Sequence, residues 1–444
     1  MPIRMYIRAV GTGLETMREP PRVRREAPLW MGRLCGGEPK AALRAAVRKA
    51  DARGECLARY EERLWVRRAA ASRPPLHDPV SGYNGRGRRS PMPTMKAAVC
   101  KAKETIVIEQ VPRPVPKQGE VLVAVKATGL CGSDVDGYTG HHPMIKWPII
   151  LGHECSGVVA EVGPSTSLRA GSGESRWRPG DAVVVEPFFT CKRCPACLRG
   201  QYNLCVDLKI TGHQVPGSMA EFVIAESCFL HPKPDNLSFA EAAIAEPVAG
   251  SLHAVERANP RLGSFVVIIG CGTIGVLAMQ HCLNKGAEVL VCDPAEFKLH
   301  VAQKLGAHHT HNPEKADLKA RVRELTGGLG ADVVIEAVGK PATLAATVGL
   351  VRRGGTILLI GWSGNKTDAF DLTSVTLDEL TVLGTLGFCW DHKAALKLLS
   401  AGKVTVKPII SHRLPLERVE EGIRMLRAHQ EGVWKIAITE EEEA

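Results

Sequence analysis

The chain has 444 residues, of which 45% are hydrophobic, 23% charged and 5% aromatic, the balance of a globular protein with two or three domains. It contains no run of about 18 apolar residues, so we expect no membrane-spanning helix and no membrane partner. The net charge of +10 is concentrated in residues 1–94, which hold 18 Arg and 2 Lys against 9 acidic residues, whereas 37 basic and 38 acidic residues follow them. The rest of the chain is therefore nearly neutral, and nucleic acid is not an expected partner.

Residues 1–94 form a basic N-terminal extension whose composition differs from that of the remaining chain. Met95 opens an alternating, β-branched pattern typical of a β domain, so we interpret the extension as a mis-called start or a disordered appendage. Transit peptides are poor in acidic residues, and Glu15, Glu19 and Glu26 therefore argue against one. We assign this segment no function.

Three further segments are predicted from the pattern of apolar runs and turns. Residues 95–248 alternate short strands with Gly and Pro turns, which indicates a β-rich domain. Residues 249–388 alternate helical stretches with short runs of Val, Ile and Leu, which indicates a doubly wound parallel sheet of the α/β class. Residues 389–444 read as a short helix, a strand and an amphipathic helix.

A glycine-rich turn, GCGTIG, directly follows the apolar strand SFVVII and opens a helix. Gly270 permits the turn, Gly272 lets the backbone approach a pyrophosphate, and Gly275 allows close packing of helix and strand. Asp293 follows at the end of the second strand, where its carboxylate would bind the ribose of NAD and repel the additional phosphate of NADP. The full set of dinucleotide contacts in this loop and strand is predicted as Gly270, Gly272, Thr273, Ile274, Gly275 and Asp293.

Fourteen cysteines are too few for a disulfide scaffold and indicate a reducing, cytoplasmic location. Four of them lie in a C-x2-C-x2-C-x7-C array within a lobe at about residues 190–206: Cys191, Cys194, Cys197 and Cys205. Four thiolates this close can surround one structural zinc ion with no open position. The alternatives are free or disulfide-bonded cysteines and a zinc ribbon that binds nucleic acid.

A second metal site is suggested by residues that are scattered along the chain: Cys131 in LCGSD, His153 and Glu154 in LGHE, and Glu246 in AEP. Each alone is weak, because single Cys and His residues are often buried without function. Together they supply a thiolate, an imidazole and a carboxylate, which leaves one coordination position open, as a catalytic zinc ion requires.

These motifs, in this order, resemble the zinc-dependent medium-chain dehydrogenase/reductase (alcohol dehydrogenase) family over about residues 95–440. The resemblance implies a GroES-like catalytic domain, a Rossmann coenzyme domain, and a return of residues 389–444 to the catalytic domain. It implies that Cys131 and His153 bind the catalytic zinc ion with either Glu154 or Glu246. Glu246 replaces a cysteine of simple alcohol dehydrogenases, which resembles the sorbitol (polyol), butanediol and threonine dehydrogenase branch. Contacts to NAD from Lys298 and Val338 and a homodimer or homotetramer are further expectations.

The resemblance also implies a reaction, the transfer of a hydride from a secondary alcohol, such as a polyol, sugar alcohol or diol, to NAD. Zinc lowers the pKa of the substrate hydroxyl, and Ser133 is placed to accept the proton. Asp136 stands where many relatives carry a relay histidine, so either Asp136 continues the relay or water does. Asp134 is expected to orient the metal site. Four nearby residues are further candidates for the pocket wall: Tyr138, His141, His142 and Trp147.

Two other functions remain as alternatives. An enzyme similar to L-threonine 3-dehydrogenase would share the same motifs and would oxidise an amino alcohol. A zinc- and nucleotide-binding regulatory protein would use the basic extension to contact DNA, and this binding would fall steeply with salt.

Overall fold

The computed structural model describes residues 93–164, 176–362 and 370–441. The predictions for residues 1–94 therefore fall almost entirely outside the described residues. Within the described ranges, none of the helices has the length and the apolar character needed to span a bilayer.

Eighteen strands and eleven α-helices occur in the described ranges. The strands are β1 (Thr94–Ala102), β2 (Thr105–Pro112), β3 (Glu120–Gly129), β4 (Ile149–Ile150), β5 (Glu154–Val162), β6 (Ala182–Val185), β7 (Phe188–Phe189), β8 (Lys209–Ile210), β9 (Phe222–Glu226), β10 (Leu230–Pro232), β11 (Phe265–Ile269), β12 (Glu288–Cys292), β13 (His309–His311), β14 (Ala331–Glu336), β15 (Val351–Leu359), β16 (Thr381–Gly384), β17 (Ile410–Leu414) and β18 (Lys435–Thr439). The helices are α1 (Gly132–Thr139), α2 (Pro195–Leu198), α3 (Phe239–Ala243), α4 (Ala245–Ala258), α5 (Thr273–Asn284), α6 (Glu296–Lys304), α7 (Leu318–Leu325), α8 (Pro341–Leu350), α9 (Leu372–Leu377), α10 (His392–Ser400) and α11 (Val419–Arg427). Short 3-10 helices cover Tyr202–Leu204, Ser227–Phe229, Lys407–Ile409 and Leu416–Arg418.

The second half of the chain builds a six-stranded parallel sheet in the order β13-β12-β11-β14-β15-β16. Strand β11, FVVII, is buried along its whole length, as expected for a strand covered by helices on both faces. From β11, the strands β12 and β13 are added on one side and the strands β14, β15 and β16 on the other, so the strand order reverses at β11. Such a switch point opens a ligand crevice at the carboxyl ends of the strands. The predicted doubly wound fold is confirmed.

Strands from residues 120–232 and 410–439 together build a seven-stranded sheet in the order β10-β6-β5-β3-β18-β17, with β9 also paired to β3. Its central pair, β3 and β5, is antiparallel and brings Gly129 opposite Glu154. Strand β18, near the end of the chain, pairs with β3 through Ala437 and Gly129. The end of the chain therefore completes the sheet that begins near residue 120, while the boundaries of the predicted domains stay a prediction.

The position of the site follows from this pairing. Helix α1 begins directly after β3, with Cys131 at its N-cap, and β5 begins at Glu154, immediately after His153. Because β3 and β5 are neighbours, the end of one and the start of the other lie side by side. The sequence motifs LCGSD and LGHE, which are 22 residues apart from Cys131 to His153, meet at one edge of the sheet.

Candidate active site

Cys131, His153 and Glu154 form a cluster in which one ligand atom of each lies within 4.8 Å of the others. His153 and Glu154 are buried, and the Oε2 atom of Glu154 has no hydrogen-bond partner among the described residues. A buried carboxylate oxygen without a partner is costly unless a cation or donor occupies the site. The donor set of thiolate, imidazole and carboxylate fits zinc.

Lys435 is a member of this site that the sequence motifs did not reveal. Its side chain is buried, and its Nζ atom donates to Glu154 Oε1 at 2.6 Å and to the carbonyl of Leu130 at 2.8 Å. The ion pair leaves only Oε2 of Glu154 for another ligand. A lysine within the apolar strand WKIAIT is the signal that could have identified it, because a buried lysine in a strand needs a paired charge.

The positions of the Glu154 and Asp134 carboxylates are set by the surrounding backbone. An added Cβ at Gly129 would lie 2.0 Å from Glu154 Oε2, so only glycine leaves room for this carboxylate. Asp134 is fully buried and accepts hydrogen bonds from the backbone N–H of Cys131 at 2.9 Å and of Gly152 at 3.0 Å. Its Oδ1 also lies 3.8 Å from Nδ1 of His153. Asp134 thus ties together the two loops that carry the cluster, in line with the orienting role expected of it.

Glu246, at the first turn of α4, lies outside this three-residue cluster. Burial and the negative charge of Glu154 raise the pKa of Glu246 to about 7, although His153 opposes this shift. Of the two alternative carboxylates, Glu154 is the one that the structure brings next to Cys131 and His153.

The two residues of the expected proton relay lie one turn apart on α1. The hydroxyl oxygen of Ser133 is buried and has no hydrogen-bond partner among the described residues. Asp136 is half-buried, and burial raises its pKa while His141 opposes the shift. No hydrogen bond joins Ser133 to Asp136 in the described chain, so the relay stays a prediction.

Three rings extend the site beyond His153. His213 lies 5.1 Å from His153 and 4.7 Å from His142 between ring centroids, and His142 lies 5.1 Å from Trp362. Burial, together with the imidazoles of His153 and His142, lowers the pKa of His213 to about 3. The sequence pattern named His142 as a pocket candidate but missed His213 and Trp362, which come from distant loops.

The other three pocket candidates have different surroundings. Tyr138 is buried in the core, and its hydroxyl group donates to Glu420 at 2.8 Å. Trp147 donates its indole N–H to the carbonyl of Gly137 at 3.0 Å. His141 is exposed and shares a hydrogen bond with Thr139 through Nδ1.

The four clustered cysteines also lie together, with one sulfur each within 4.8 Å. Backbone N–H groups point at these sulfurs: Cys194 N donates to Cys191 Sγ at 3.3 Å, and Cys191 N donates to Cys205 Sγ at 3.3 Å. Backbone hydrogen bonds from Cys197 and Val206 lower the pKa of Cys194 to about 6. Burial and the neighbouring thiols raise the pKa of Cys197 to about 12. The lobe therefore favours a thiolate at Cys194, and its four sulfurs suit a closed zinc site.

The glycine-rich turn lies at the crevice of the parallel sheet. Gly270 has a φ of 99°, and Gly272 is the N-cap of α5, where nothing lies within 4 Å of an added Cβ. A Cβ at Gly275 would lie 1.9 Å from the carbonyl oxygen of Gly270, so the helix packs closely on the turn, as predicted. Thr273 and Ile274 form the first turn of α5, whose N–H groups can bind phosphate.

Asp293 follows β12 and is buried at the same crevice. Its carboxylate accepts hydrogen bonds from the N–H of Cys271 at 2.8 Å and of Ala295 at 2.8 Å. Lys298 is half-buried on α6, with its Nζ atom 5.8 Å from the ring of Phe297.

Val338 borders the glycine-rich turn, since its Cγ2 lies 2.6 Å from the Cβ position of Gly270. Glu336, which the sequence reasoning missed, is fully buried and accepts hydrogen bonds from the N–H groups of Val338 and Gly339 and from the hydroxyl of Thr343. It thereby fixes the loop that carries Val338.

Two family models match this chain. The model for the GroES-like domain of alcohol dehydrogenases matches residues 117–235, and the model for zinc-binding dehydrogenases matches residues 273–401. The two matches cover the cysteine lobe and the start of α5, respectively.

Curated relatives match over most of their length. The sorbitol dehydrogenase of Bacillus subtilis is 33% identical over 335 residues, which is 74% of this chain and 92% of the relative. The L-threonine 3-dehydrogenase of Bacillus velezensis is 33% identical over 332 residues, which is 73% of this chain and 93% of the relative.

Solved structures agree with the fold and the cofactor. A zinc-binding dehydrogenase of Sinorhizobium meliloti bound to NADP has a TM-score of 0.70 and 30% identity and covers 78% of this chain and 99% of its own. An alcohol dehydrogenase of Escherichia coli in complex with NADH has a TM-score of 0.71 and 25% identity, with coverage of 78% and 99%. The predicted cofactors, zinc and NAD, are confirmed at the level of the family. The chain belongs to the family of zinc-dependent medium-chain alcohol dehydrogenases.

Proposed function

We propose that this protein oxidises a secondary alcohol of a polyol, sugar alcohol or diol to a ketone, with NAD as the hydride acceptor. The observation that carries the proposal is the cluster of Cys131, His153 and Glu154 at the edge of the sheet, in a chain that also has a dinucleotide crevice. In the reaction, the substrate C–H bond breaks and its electron pair moves with hydrogen to the nicotinamide, while the O–H proton leaves to a base. Zinc, when bound, supplies a Lewis acid that lowers the pKa of the substrate hydroxyl.

The roles of the surrounding residues follow from their positions. Cys131, His153 and Glu154 would hold zinc, and the positive charge of Lys435 balances part of their negative charge. Ser133, whose buried hydroxyl group has no partner in the described chain, would accept the substrate proton. Asp136 would pass it outward. An Asp136→Asn variant whose turnover kept an unchanged pH profile would exclude this role of Asp136.

The preference for NAD is assigned to Asp293. Its carboxylate lies beside the glycine-rich turn, where a second negative charge from the NADP phosphate would be repelled. The residues proposed to contact the cofactor are Gly270, Gly272, Thr273, Ile274, Gly275, Asp293, Lys298 and Val338.

The proposal of a polyol rests on relatives such as the sorbitol dehydrogenase and on Glu246, which stands where simple alcohol dehydrogenases carry a cysteine. Oxidation of an amino alcohol is the second candidate, because an L-threonine 3-dehydrogenase is as similar to this chain as the sorbitol dehydrogenase is, at 33% identity. A regulatory DNA-binding role has no support in the nearly neutral residues 95–444. A cytoplasmic homodimer or homotetramer is part of the proposal.

The test is steady-state reduction of NAD by the full-length, zinc-loaded chain with sorbitol, diols and L-threonine. We expect turnover on polyols or diols that exceeds turnover on threonine, and loss of turnover in a Cys131→Ser variant. Faster oxidation of threonine would replace the polyol proposal with the amino alcohol. Equal turnover of wild type and Cys131→Ser would reject the zinc site.

A further inference from the structure

Two histidines beside the proposed zinc cluster have no role in the chemistry described so far. His142 and His213 are 7% and 6% exposed, and their rings meet edge to face at 4.7 Å. His213 is also in edge-to-face contact with His153 at 5.1 Å, so the pair adjoins the proposed reaction site. Trp362, which is 49% exposed, is also in edge-to-face contact with His142, at 5.1 Å between ring centroids.

The hydrogen bonds of the two rings fix opposite tautomers. The backbone N–H of Met144 donates to Nδ1 of His142 at 3.3 Å, so this nitrogen accepts and the hydrogen of a neutral ring lies on Nε2. In His213, Nδ1 faces the carbonyl oxygen of Thr211 at 3.3 Å. A carbonyl oxygen only accepts, so Nδ1 donates and Nε2 carries the free lone pair. Nδ1 of His142 can accept only in the neutral ring, and both rings are nearly fully buried, which disfavours a charged imidazolium.

The pair therefore offers one donor, Nε2–H of His142, and one acceptor, Nε2 of His213. Neither Nε2 atom has a hydrogen-bond partner within the described ranges of the chain. A hydroxyl group matches this pair, because it accepts one hydrogen bond and donates another. An ammonium group only donates, a carboxylate only accepts, and a methyl group does neither, so each pairs with at most one of the two Nε2 atoms.

We propose that His142 and His213 bind a second hydroxyl group of the substrate, near the carbon that is oxidised. The pair selects diols and polyols over amino alcohols and simple secondary alcohols. This inference rests on the proposed function. It adds to that function the residues that bind the second hydroxyl group of the substrate.

Kinetics with three matched substrates tests the selection: 2,3-butanediol, 2-butanol and 3-amino-2-butanol. Sites that hydrogen-bond a substrate hydroxyl reject analogues without it by large factors, so we expect kcat/KM for the diol to exceed that for 2-butanol by about 100-fold. His142→Phe and His213→Phe keep the ring and remove its nitrogens, and each is expected to reduce this ratio at least about 10-fold, mainly through KM for the diol. His412→Phe, the same change at a half-buried histidine on β17, serves as the control. An unchanged ratio in both pocket variants overturns the proposal.

A second readout does not depend on turnover. Nitrogen-15 NMR of the full chain with labelled histidine distinguishes protonated from unprotonated ring nitrogens, and the two Phe variants assign the signals. We expect Nε2–H in His142, Nδ1–H in His213, and changes in both Nε2 signals on adding 2,3-butanediol that exceed those on adding 2-butanol. The opposite tautomers, or equal responses to both alcohols, would reject the pair. If wild type oxidised none of the alcohols while the signals responded as expected, the proposed function would fail and the hydroxyl-binding pair would stand.

Discussion

The two carboxylate oxygens of Glu154 have different surroundings, so each can play a separate role. Oε1 accepts a hydrogen bond from Lys435, whereas Oε2, beside Gly129, has no donor among the residues that the structure describes. The division explains how the carboxylate can act as a metal ligand while half of its charge is balanced by a buried lysine. Glu246, by contrast, stands outside the cluster.

Glu154→Gln is expected to weaken zinc binding at this site by about 10- to 100-fold, because an amide oxygen is a poorer ligand and Lys435 loses its partner. Glu246→Gln is expected to change zinc affinity less than tenfold. Competition with a coloured chelator measures both constants. A larger loss in Glu246→Gln than in Glu154→Gln would make Glu246 the third ligand.

At the scale of residues, short motifs predicted the centre of the site and missed its periphery. Cys131, His153 and Glu154 were predictable because each lies in a motif whose residue type suits a metal. Lys435 and His213 were missed, because they reach the site through pairing of distant strands and loops. The apolar strand around Lys435 indicates a buried charge but does not identify its partner, and His213 lies in no such pattern. Local sequence motifs do not reveal contacts between residues that are distant in sequence and are brought together only by strand pairing.

At the scale of elements, the cysteine lobe behaves as a unit that zinc should hold together. Its sulfurs accept backbone N–H groups, including Asp207 N to Cys205 Sγ at 3.4 Å. Its own apolar cluster is small, with Cys194, Ala196 and Cys205 as the buried members, but Tyr202 packs the lobe against Phe188 and Phe229 of the main core. We therefore expect metal binding to add to apolar burial as a source of the lobe's stability.

Cys205→Ser is expected to lower the zinc content from two ions per chain to one and to lower the melting temperature. The matched control is Cys228→Ser, a change at an exposed cysteine outside the lobe. Elemental analysis and calorimetry measure the two quantities. Two zinc ions retained in Cys205→Ser would show that the lobe does not require all four sulfurs.

Helix α5 carries a buried histidine that should make folding sensitive to acid. His281 is 2% exposed, its Nε2 atom is 3.2 Å from the carbonyl oxygen of Val248, and burial lowers its pKa to about 4. In the unfolded chain the pKa is about 6.5. The unfolded state therefore binds more protons below about pH 6.5, so the stability contributed by neutral His281 is present above that pH and is lost as the pH falls toward about 4.

Between about pH 7 and pH 5.5, this one group is expected to reduce the free energy of unfolding by about 1.2 kcal/mol. His281→Gln removes the titrating group. Over the same pH range, the free energy of unfolding of the variant should therefore decrease less than that of the wild type, and the difference between the two decreases should be about the same amount. Chemical denaturation of both zinc-loaded proteins at the two pH values measures the difference. Identical pH dependence in wild type and His281→Gln would show that the histidine is not held neutral.

The elements themselves were largely predictable, since the apolar runs of β11, β12 and β14 have the length and composition of buried parallel strands. The glycine-rich turn fixed the start of α5 because its residues permit a conformation that others resist. The pairing of β18 with β3 was expected only from the resemblance, because strand order is set by contacts across the whole chain.

At the scale of the whole molecule, the outer strand of the parallel sheet is the surface that we expect to mediate self-association. Strand β16 pairs with β15, and no other described strand covers its far edge. Val382 in β16 is 37% exposed, and Leu372 and Leu377 on the adjacent α9 are 71% and 74% exposed. An exposed apolar edge strand tends to pair with another chain.

We expect a homodimer or a larger oligomer that uses this edge. Val382→Lys places a charge on the strand and is expected to shift light scattering toward the mass of a monomer, with zinc content unchanged. A monomeric wild-type protein would remove the proposal, and an oligomer unaffected by Val382→Lys would move the interface elsewhere.

The central claim, direct hydride transfer from a secondary alcohol to NAD, is tested most directly by isotope transfer. The full-length, zinc-loaded chain is incubated with NAD and a diol deuterated at the carbinol carbons, and the NADH and the ketone are analysed by mass spectrometry. Our account predicts one deuterium in each NADH and an equal amount of ketone. NADH without deuterium, or no NADH from any deuterated diol or polyol, would contradict it.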